Sequence, residues 1–293
     1  MQFLLLGAAV LLAGIIALGW WFLRIGRISK QPLVTDQADV AYQTVPTVFV
    51  HGYSGNRLSF GRMLARFEHL HIAKKEIVFR VRKDGTLLQT GHLSHRRDNP
   101  TVQVLFEDNR ADEQKQSLWI ARIMNRLKNN EGADAVNLVG HSMGGVSILR
   151  YLIVYGRNPH LPQTPKMVAI GAPFNDLELG KDGKEVFVYQ LTDQGPSHKA
   201  PIYQFFEQRL DALPRDLSFL NIAGNQLRGG LNDGSVAVES SFAIRFLLQK
   251  RIKSYQQVVI RGARAAHSLL HENTVVDHDL TEFLWEPTDA GGN

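Results

Sequence analysis

Hydrophobic and polar residues follow three regimes along this chain. Phe3–Leu23 is an unbroken apolar run without a charge. Residues 31–44 are mixed and polar. Beyond about residue 45, short β-branched runs alternate with longer segments whose apolar residues recur every three or four positions. Thr47–His51, Glu76–Arg82, Thr101–Phe106, Ala135–Gly140, Met167–Gly171, Phe219–Ala223 and Gln257–Ile260 read as strands. Several are apolar on both faces, as strands buried in a parallel sheet are. Phe60–Leu70, Gln114–Leu127, Gly144–Tyr155 and Val275–Leu284 read as helices; in the second, Leu118, Ile120, Ile123, Met124 and Leu127 gather on one side. Strands separated by helices predict an α/β domain with a mostly parallel central sheet flanked by helices. The segment 175–216 fits the alternation poorly and contains Gly195-Pro196, so it is expected to be a cap-like insertion.

At about 1.5 Å per residue, Phe3–Leu23 as a helix reaches roughly 30 Å, the thickness of a hydrocarbon core. Trp20 and Trp21 close the run where an aromatic belt belongs, and Arg24, Arg27 and Lys30 follow. The alternative is a cleaved signal peptide, which needs a basic leader, a shorter apolar stretch and a small-residue cleavage site. The sequence lacks that pattern, so residues 1–30 are expected to be a retained transmembrane anchor, 31–44 a linker and 45–290 the main domain. The basic flank on the C-terminal side would place that domain in the cytoplasm.

The 293 residues are 44% hydrophobic and 21% charged, which excludes a disordered chain. There is no cysteine, which removes thiol nucleophiles, iron–sulfur clusters, cysteine zinc sites and disulfides together. The net charge of +5 comes from scattered basic residues, so it adds little to a nucleic-acid reading. It suits an anionic lipid surface or an anionic cell-wall polymer equally.

Gly140-His141-Ser142-Met143-Gly144 has the form G-x-S-x-G and lies between an expected strand and an expected helix. In that setting the serine occupies a sharp turn with its hydroxyl above the sheet, and the glycines let strand and helix pass closely. Upstream, His51-Gly52-Tyr53-Ser54-Gly55-Asn56 ends the first strand of the domain. A tight turn there would present the Tyr53 amide beside Ser142 and, with the Met143 amide, make a two-donor oxyanion hole. His51 is expected to order this loop rather than to act as a base. A serine nucleophile needs a base and an orienting acid, in the order Ser, acid, His on this fold. Asp233, in the turn Asn232–Val236, leads the acids, ahead of Asp176 and Asp193. His267 leads the bases, with His271 four residues on as the alternative. The His267/His271 spacing also suits half of a metal site, but no paired carboxylate motif accompanies it, and no cofactor or metal is expected.

Taken together, VFVHGYSGN (48–56), VLFEDN (104–109), VNLVGHSMGG (136–145), AIGAPFND (169–176), NDGSVAVESS (232–241) and HSLLHEN (267–273) resemble the α/β-hydrolase superfamily. The series is most similar to an uncharacterised family of membrane-bound cell-surface hydrolases of Gram-positive bacteria, over about 48–285. The resemblance implies Ser142 as nucleophile, Asp233 as acid, His267 as base, and Tyr53 and Met143 as oxyanion donors. It also implies an exported domain, against the flanking charges. The function expected is hydrolysis of a carboxylic ester through an acyl-enzyme, as in esterases and lipases. The partners expected are a small-molecule or lipid ester and the membrane itself, with no nucleic acid. Acyl transfer or amide hydrolysis on the same triad, and a non-catalytic binding protein on the same fold, are the alternatives.

Overall fold

A computed structural model describes residues 6–7, 10–17, 19, 27–29, 31–175, 190–227 and 230–287. Among the described residues ten strands form in chain order: β1 (Thr47–Val50), β2 (Lys74–Val81), β3 (Leu87–Thr90), β4 (Pro100–Phe106), β5 (Asn137–His141), β6 (Lys166–Ile170), β7 (Leu191–Thr192), β8 (Gly195–Pro196), β9 (Ser218–Asn225) and β10 (Ser254–Arg261). Eight make one sheet in the order β10-β9-β6-β5-β1-β4-β2-β3, and β7-β8 is a separate ribbon. Every pairing in the large sheet is parallel except β2 with β3 at the edge. β3 and the ribbon are absent from the sequence expectation because two- to four-residue strands carry too little periodicity to stand out.

The helices are α1 (Arg57–His69), α2 (Glu113–Glu131), α3 (Met143–Tyr155), α4 (Pro201–Glu207), α5 (Val238–Phe242), α6 (Arg245–Leu248) and α7 (Thr274–Trp285). Caps set where the longer ones start. The Asn56 side chain accepts from the Leu58 N–H at 2.8 Å and Ser59 Oγ accepts from the Asn56 N–H at 3.0 Å, so both ends of a capping box are made. Asp112 caps α2 by accepting from the Lys115 N–H at 2.7 Å. Gly132 ends that helix in the left-handed conformation.

Alternating side chains of the strands feed two cores. Val48, Val50 and Leu138 face one layer with Ile120, Met124, Val146 and Leu149 of α2 and α3. Phe49 and Val139 face the other with Phe60, Phe67, Val276 and Leu284 of α1 and α7. Phe49 meets Phe60 edge-on with ring centroids 5.3 Å apart, and Phe67 meets Trp285 at 5.5 Å. Ile202, Tyr203 and Phe206 of α4 join the first layer, so this part of the expected 175–216 insertion is core. Residues 176–189 of that segment lie outside the described residues.

β1 lies between β4 and β5. After β1 the chain turns to one side of the sheet, toward β2, and after β5 to the other, toward β6. Loops that part at the carboxyl ends of adjacent strands leave a crevice, where ligands bind in open α/β sheets. The linker runs across the opposite end. The Ala41 N–H donates to the Trp285 carbonyl, the Tyr42 hydroxyl to the His71 carbonyl, and the Gln43 N–H to Asn99 Oδ1. Among the described residues no helix is long and apolar enough to cross a membrane. The run expected as an anchor is helical at 6–7, 10–17 and 19, and the rest of it lies outside the described residues.

Candidate active site

Ser142 is the hinge between β5 and α3. Its φ of 54° and ψ of −131° place an L-residue where backbone sterics are unfavourable, at a cost on the order of 1–3 kcal/mol. The Ser142 N–H donates to the Ile170 carbonyl at 2.9 Å and the Gly145 N–H to the Ser142 carbonyl at 2.9 Å, which fixes the turn from both sides. Gly140 is required by close approach: a Cβ there would sit 2.5 Å from the Gly145 nitrogen.

His267 Nε2 lies 2.9 Å from Ser142 Oγ, and His267 Nδ1 lies 2.7 Å from Asp233 Oδ2. Residues far apart in sequence thus meet in one hydrogen-bonded line. Asp233 is almost wholly buried, at 1% exposure, yet both its oxygens are occupied. Oδ1 accepts from the Ser235 and Val236 N–H groups at 2.9 and 2.7 Å, which leaves Oδ2 for the imidazole. The backbone joins the same pair, because the His267 N–H donates to the Asp233 carbonyl at 2.8 Å. The Gln226 side-chain amide donates to that carbonyl as well.

The loop after β1 is held against this line. A Cβ on Gly52 would be 2.6 Å from the Ser142 Cβ, so only glycine lets the two turns touch. Buried His51 is fixed in one tautomer. Its Nε2 accepts from the Phe106 N–H at 3.1 Å and its Nδ1–H donates to the Gly52 carbonyl at 2.8 Å. Burial pushes its pKa down, which favours the neutral ring. The Ser54 N–H donates to the Asn109 carbonyl at 2.7 Å, and the Asn109 side chain returns a bond to the Gly55 carbonyl at 2.9 Å. The Tyr53 side chain is half exposed. Tyr53 lies in this loop after β1, and Met143 is the first residue of α3, directly after Ser142.

The other candidates lie elsewhere. Asp193 is exposed in the turn of the β7-β8 ribbon, and Asp176 lies outside the described residues. His271 sits in the same 3₁₀ turn as His267, over His267–Glu272. Its ring packs on His141, with centroids 4.9 Å apart, and its carbonyl accepts from Arg66 at 3.0 Å. Among the described residues no group of three or more His, Cys, Asp or Glu is arranged to hold a metal ion.

Sequence reasoning passed over three supporting residues. His141, buried next to Ser142, approaches the His267 carbonyl with Nε2 at 2.9 Å. A carbonyl only accepts, so Nε2 carries the proton and His141 donates. Burial first, then the charge of His267, holds its pKa well below the ordinary value. Arg66 reaches from α1 to Asp277 at 2.5 Å and to Glu272 at 3.1 Å, tying down the turn that carries His267. Asn175 donates to the His198 carbonyl at 2.8 Å and accepts from the Ala200 N–H at 2.9 Å, pinning the chain that enters α4. His141 alone had a local signal, its place inside G-x-S-x-G; the partners of Arg66 are more than 200 residues away.

A family profile described as "Alpha/beta hydrolase of unknown function (DUF915)" matches residues 34–287. Among solved structures, the lin2722 gene product of Listeria innocua superposes with a TM-score of 0.74 at 27% identity, covering 85% of this chain and 95% of its own. A candidate cell surface hydrolase of Lactobacillus plantarum WCFS1 gives 0.66 at 20% identity, over 83% and 92%. The mature lipase BlEst2 of Bacillus licheniformis gives 0.52 at 14% identity, over 87% and 96%, a likeness of fold. Among curated proteins none matches.

Proposed function

The chain belongs to the DUF915 family of alpha/beta hydrolases, and on that premise we propose that it is a serine hydrolase of carboxylic esters. Ser142 is the nucleophile, His267 the general base and Asp233 the orienting acid. The observation that carries the reading is the line from Ser142 Oγ to His267 Nε2 at 2.9 Å and from His267 Nδ1 to Asp233 Oδ2 at 2.7 Å, on a strained strand-to-helix turn.

The geometry supports the following course. Ser142 Oγ attacks the ester carbonyl carbon as its proton passes to His267 Nε2. The imidazolium is stabilised by the Asp233 carboxylate, whose other oxygen is already occupied by two backbone amides. Negative charge on the carbonyl oxygen is met by the Tyr53 and Met143 N–H groups. His267 then returns the proton to the leaving alcohol, and the acyl group stays on Ser142. Water, deprotonated by the same nitrogen, attacks the acyl carbon; the acid leaves and Ser142 is regenerated. An ester is preferred over an amide because an alcohol departs with less help from the acid than an amine does.

Residues 1–30 serve in this reading as a membrane anchor and 31–44 as its spacer, with the domain on the outer face. The apolar run supports the anchor, and the cell-surface description of the Lactobacillus plantarum neighbour supports the orientation. The segment 175–216, which follows β6 in the chain, is read as controlling substrate access, apart from Ile202, Tyr203 and Phe206, which are core.

The test is labelling by a fluorescent fluorophosphonate, with p-nitrophenyl ester turnover across chain lengths. The expected result is a labelled wild type and an unlabelled, inactive Ser142→Ala. Labelling that persists in Ser142→Ala would place the nucleophile elsewhere. A folded wild type with neither labelling nor turnover would sink the hydrolase reading.

A further inference from the structure

We propose that the amino end of the sheet is a docking surface for the anionic headgroups of a lipid bilayer; the orientation it gives rests on the anchor reading above. Arg157 follows α3, which starts at the nucleophile turn and so ends at the opposite edge of the sheet. Arg215 precedes β9, and Lys250 and Arg251 precede β10. These four side chains line one open cavity of about 450 Å³, in which Asp211 is the single carboxylate. All four are exposed, and among the described residues none forms an ion pair. A second cavity shares Arg157 and Arg215 and adds Asp216 and the paired Lys128–Asp134. Close by, burial first and then Lys253 lower the pKa of Lys166, against an opposing effect of Glu286.

Unpaired cations gathered in a concave, solvated surface fit phosphodiesters. A bilayer is favoured over a soluble polymer by where the chain enters the domain. Ile28 packs against Gly91, just past β3, and residues 41–43 bond to the loops around His71, Asn99 and Trp285. Both contacts lie at the amino end of the sheet, the end that bears the cations. Arg24, Arg27 and Lys30 come between the apolar run and that end. A chain anchored by residues 1–30 therefore presents its basic face to the bilayer, and the Ser142 crevice opens away from it. The substrate class that follows is an ester reached from the aqueous side, not one drawn from the leaflet that holds the anchor.

The test uses the full chain with vesicles of phosphatidylcholine alone or mixed with phosphatidylglycerol, at low and high salt. The chain has no cysteine, so Gln249→Cys or Arg110→Cys gives one fluorophore at the basic end or the crevice end, read by quenching from nitroxide-headgroup lipid. We expect quenching at position 249 that is stronger with phosphatidylglycerol and weakened by salt, and little at 110. In a background of Arg157→Glu, Arg215→Glu, Lys250→Glu and Arg251→Glu the phosphatidylglycerol-dependent signal falls about tenfold or more. Esterase activity in detergent reports that this variant is folded, and Arg215→Gln with Arg251→Gln is the milder form. Equal quenching at 249 in both lipids, or no loss in the variants, overturns the proposal. Displacement of the 249 signal by soluble polyglycerol phosphate with no preference between vesicles would overturn it in favour of a polymer. Flotation separates the anchor reading: if the chain leaves both vesicles at high salt, residues 1–30 do not anchor it. Low-salt flotation specific to phosphatidylglycerol then reads the basic face alone.

Discussion

Ser142 and Asn99 share a positive φ and do opposite things with it. Both hold a positive φ, 54° and 51°, at the two ends of the sheet. Asn99 precedes β4 at the amino end. Its type tolerates the left-handed region, and its side chain is fully used, accepting from the Gln43 N–H at 2.8 Å and donating to the Ile72 carbonyl at 2.9 Å. Ser142 lacks that tolerance, and its hydroxyl bonds to the His267 ring. On the function proposed above, one turn closes the fold and the other exposes a reagent. A strained backbone alone therefore does not mark a reactive site; what its side chain faces does.

The comparison predicts that stability and activity separate by end. The largest effect belongs to Ser142→Ala, which should lower kcat by roughly 10⁴–10⁶-fold while thermal unfolding stays at or above the wild-type temperature. A large loss of stability there would break the comparison. Asp233→Asn should cost about 10³–10⁴-fold in kcat, because the amide no longer fixes the His267 tautomer. At the other end, Asn99→Ala should leave kcat/KM within about twofold and remove about 2 kcal/mol of stability in urea titrations, since Gln43 and Ile72 lose their partner. His141→Phe keeps the packing but drops the bond to the His267 carbonyl; kcat should fall about 3–10-fold with KM little changed. A change in KM alone would mean that His141 shapes binding instead.

The smallest effect is a pH dependence at the amino end. Asp98 is buried, at 2% exposure, with no hydrogen-bond partner for either oxygen among the described residues, and its pKa is raised to about 6 by desolvation first and then by Glu76. The folded state therefore holds this proton more tightly than the unfolded one. The associated stability is full below the unfolded value near 3.8 and is lost as pH rises through about 6. Asp98→Asn should raise the melting temperature by a few degrees at pH 8 and leave it nearly unchanged at pH 3.5, measured by calorimetry at both.

The parallel sheet was legible because its interior strands are short, largely apolar runs, such as Val48–Val50 and Met167–Ile170, buried on both faces. Ser142 was legible because a sharp turn leaves a local signature. Asp233 and His267 could be ranked through chain order and turn chemistry, since both sit in loops that follow late strands. Arg66 and Asn175 were not legible. Each acts across the fold on backbone or carboxylate groups, and neither partner leaves a trace in its neighbourhood. The cation cluster escaped for the same reason: Arg157, Arg215, Lys250 and Arg251 look scattered until three separate loops bring them to one end.

The spacing of the reactive line carries a consequence for biosynthesis. His267 lies 125 residues after Ser142 and 34 after Asp233, and it is carried on the turn that follows the outermost strand. A chain grows from its amino terminus, so the central strands and the nucleophile turn emerge while the base is still unmade. Any fragment that stops short of β10, whether from a premature stop or from proteolysis, holds Ser142 without His267. On the function proposed above, hydrolysis then begins only once translation is nearly complete, and the nascent chain is chemically silent until its last strand is made.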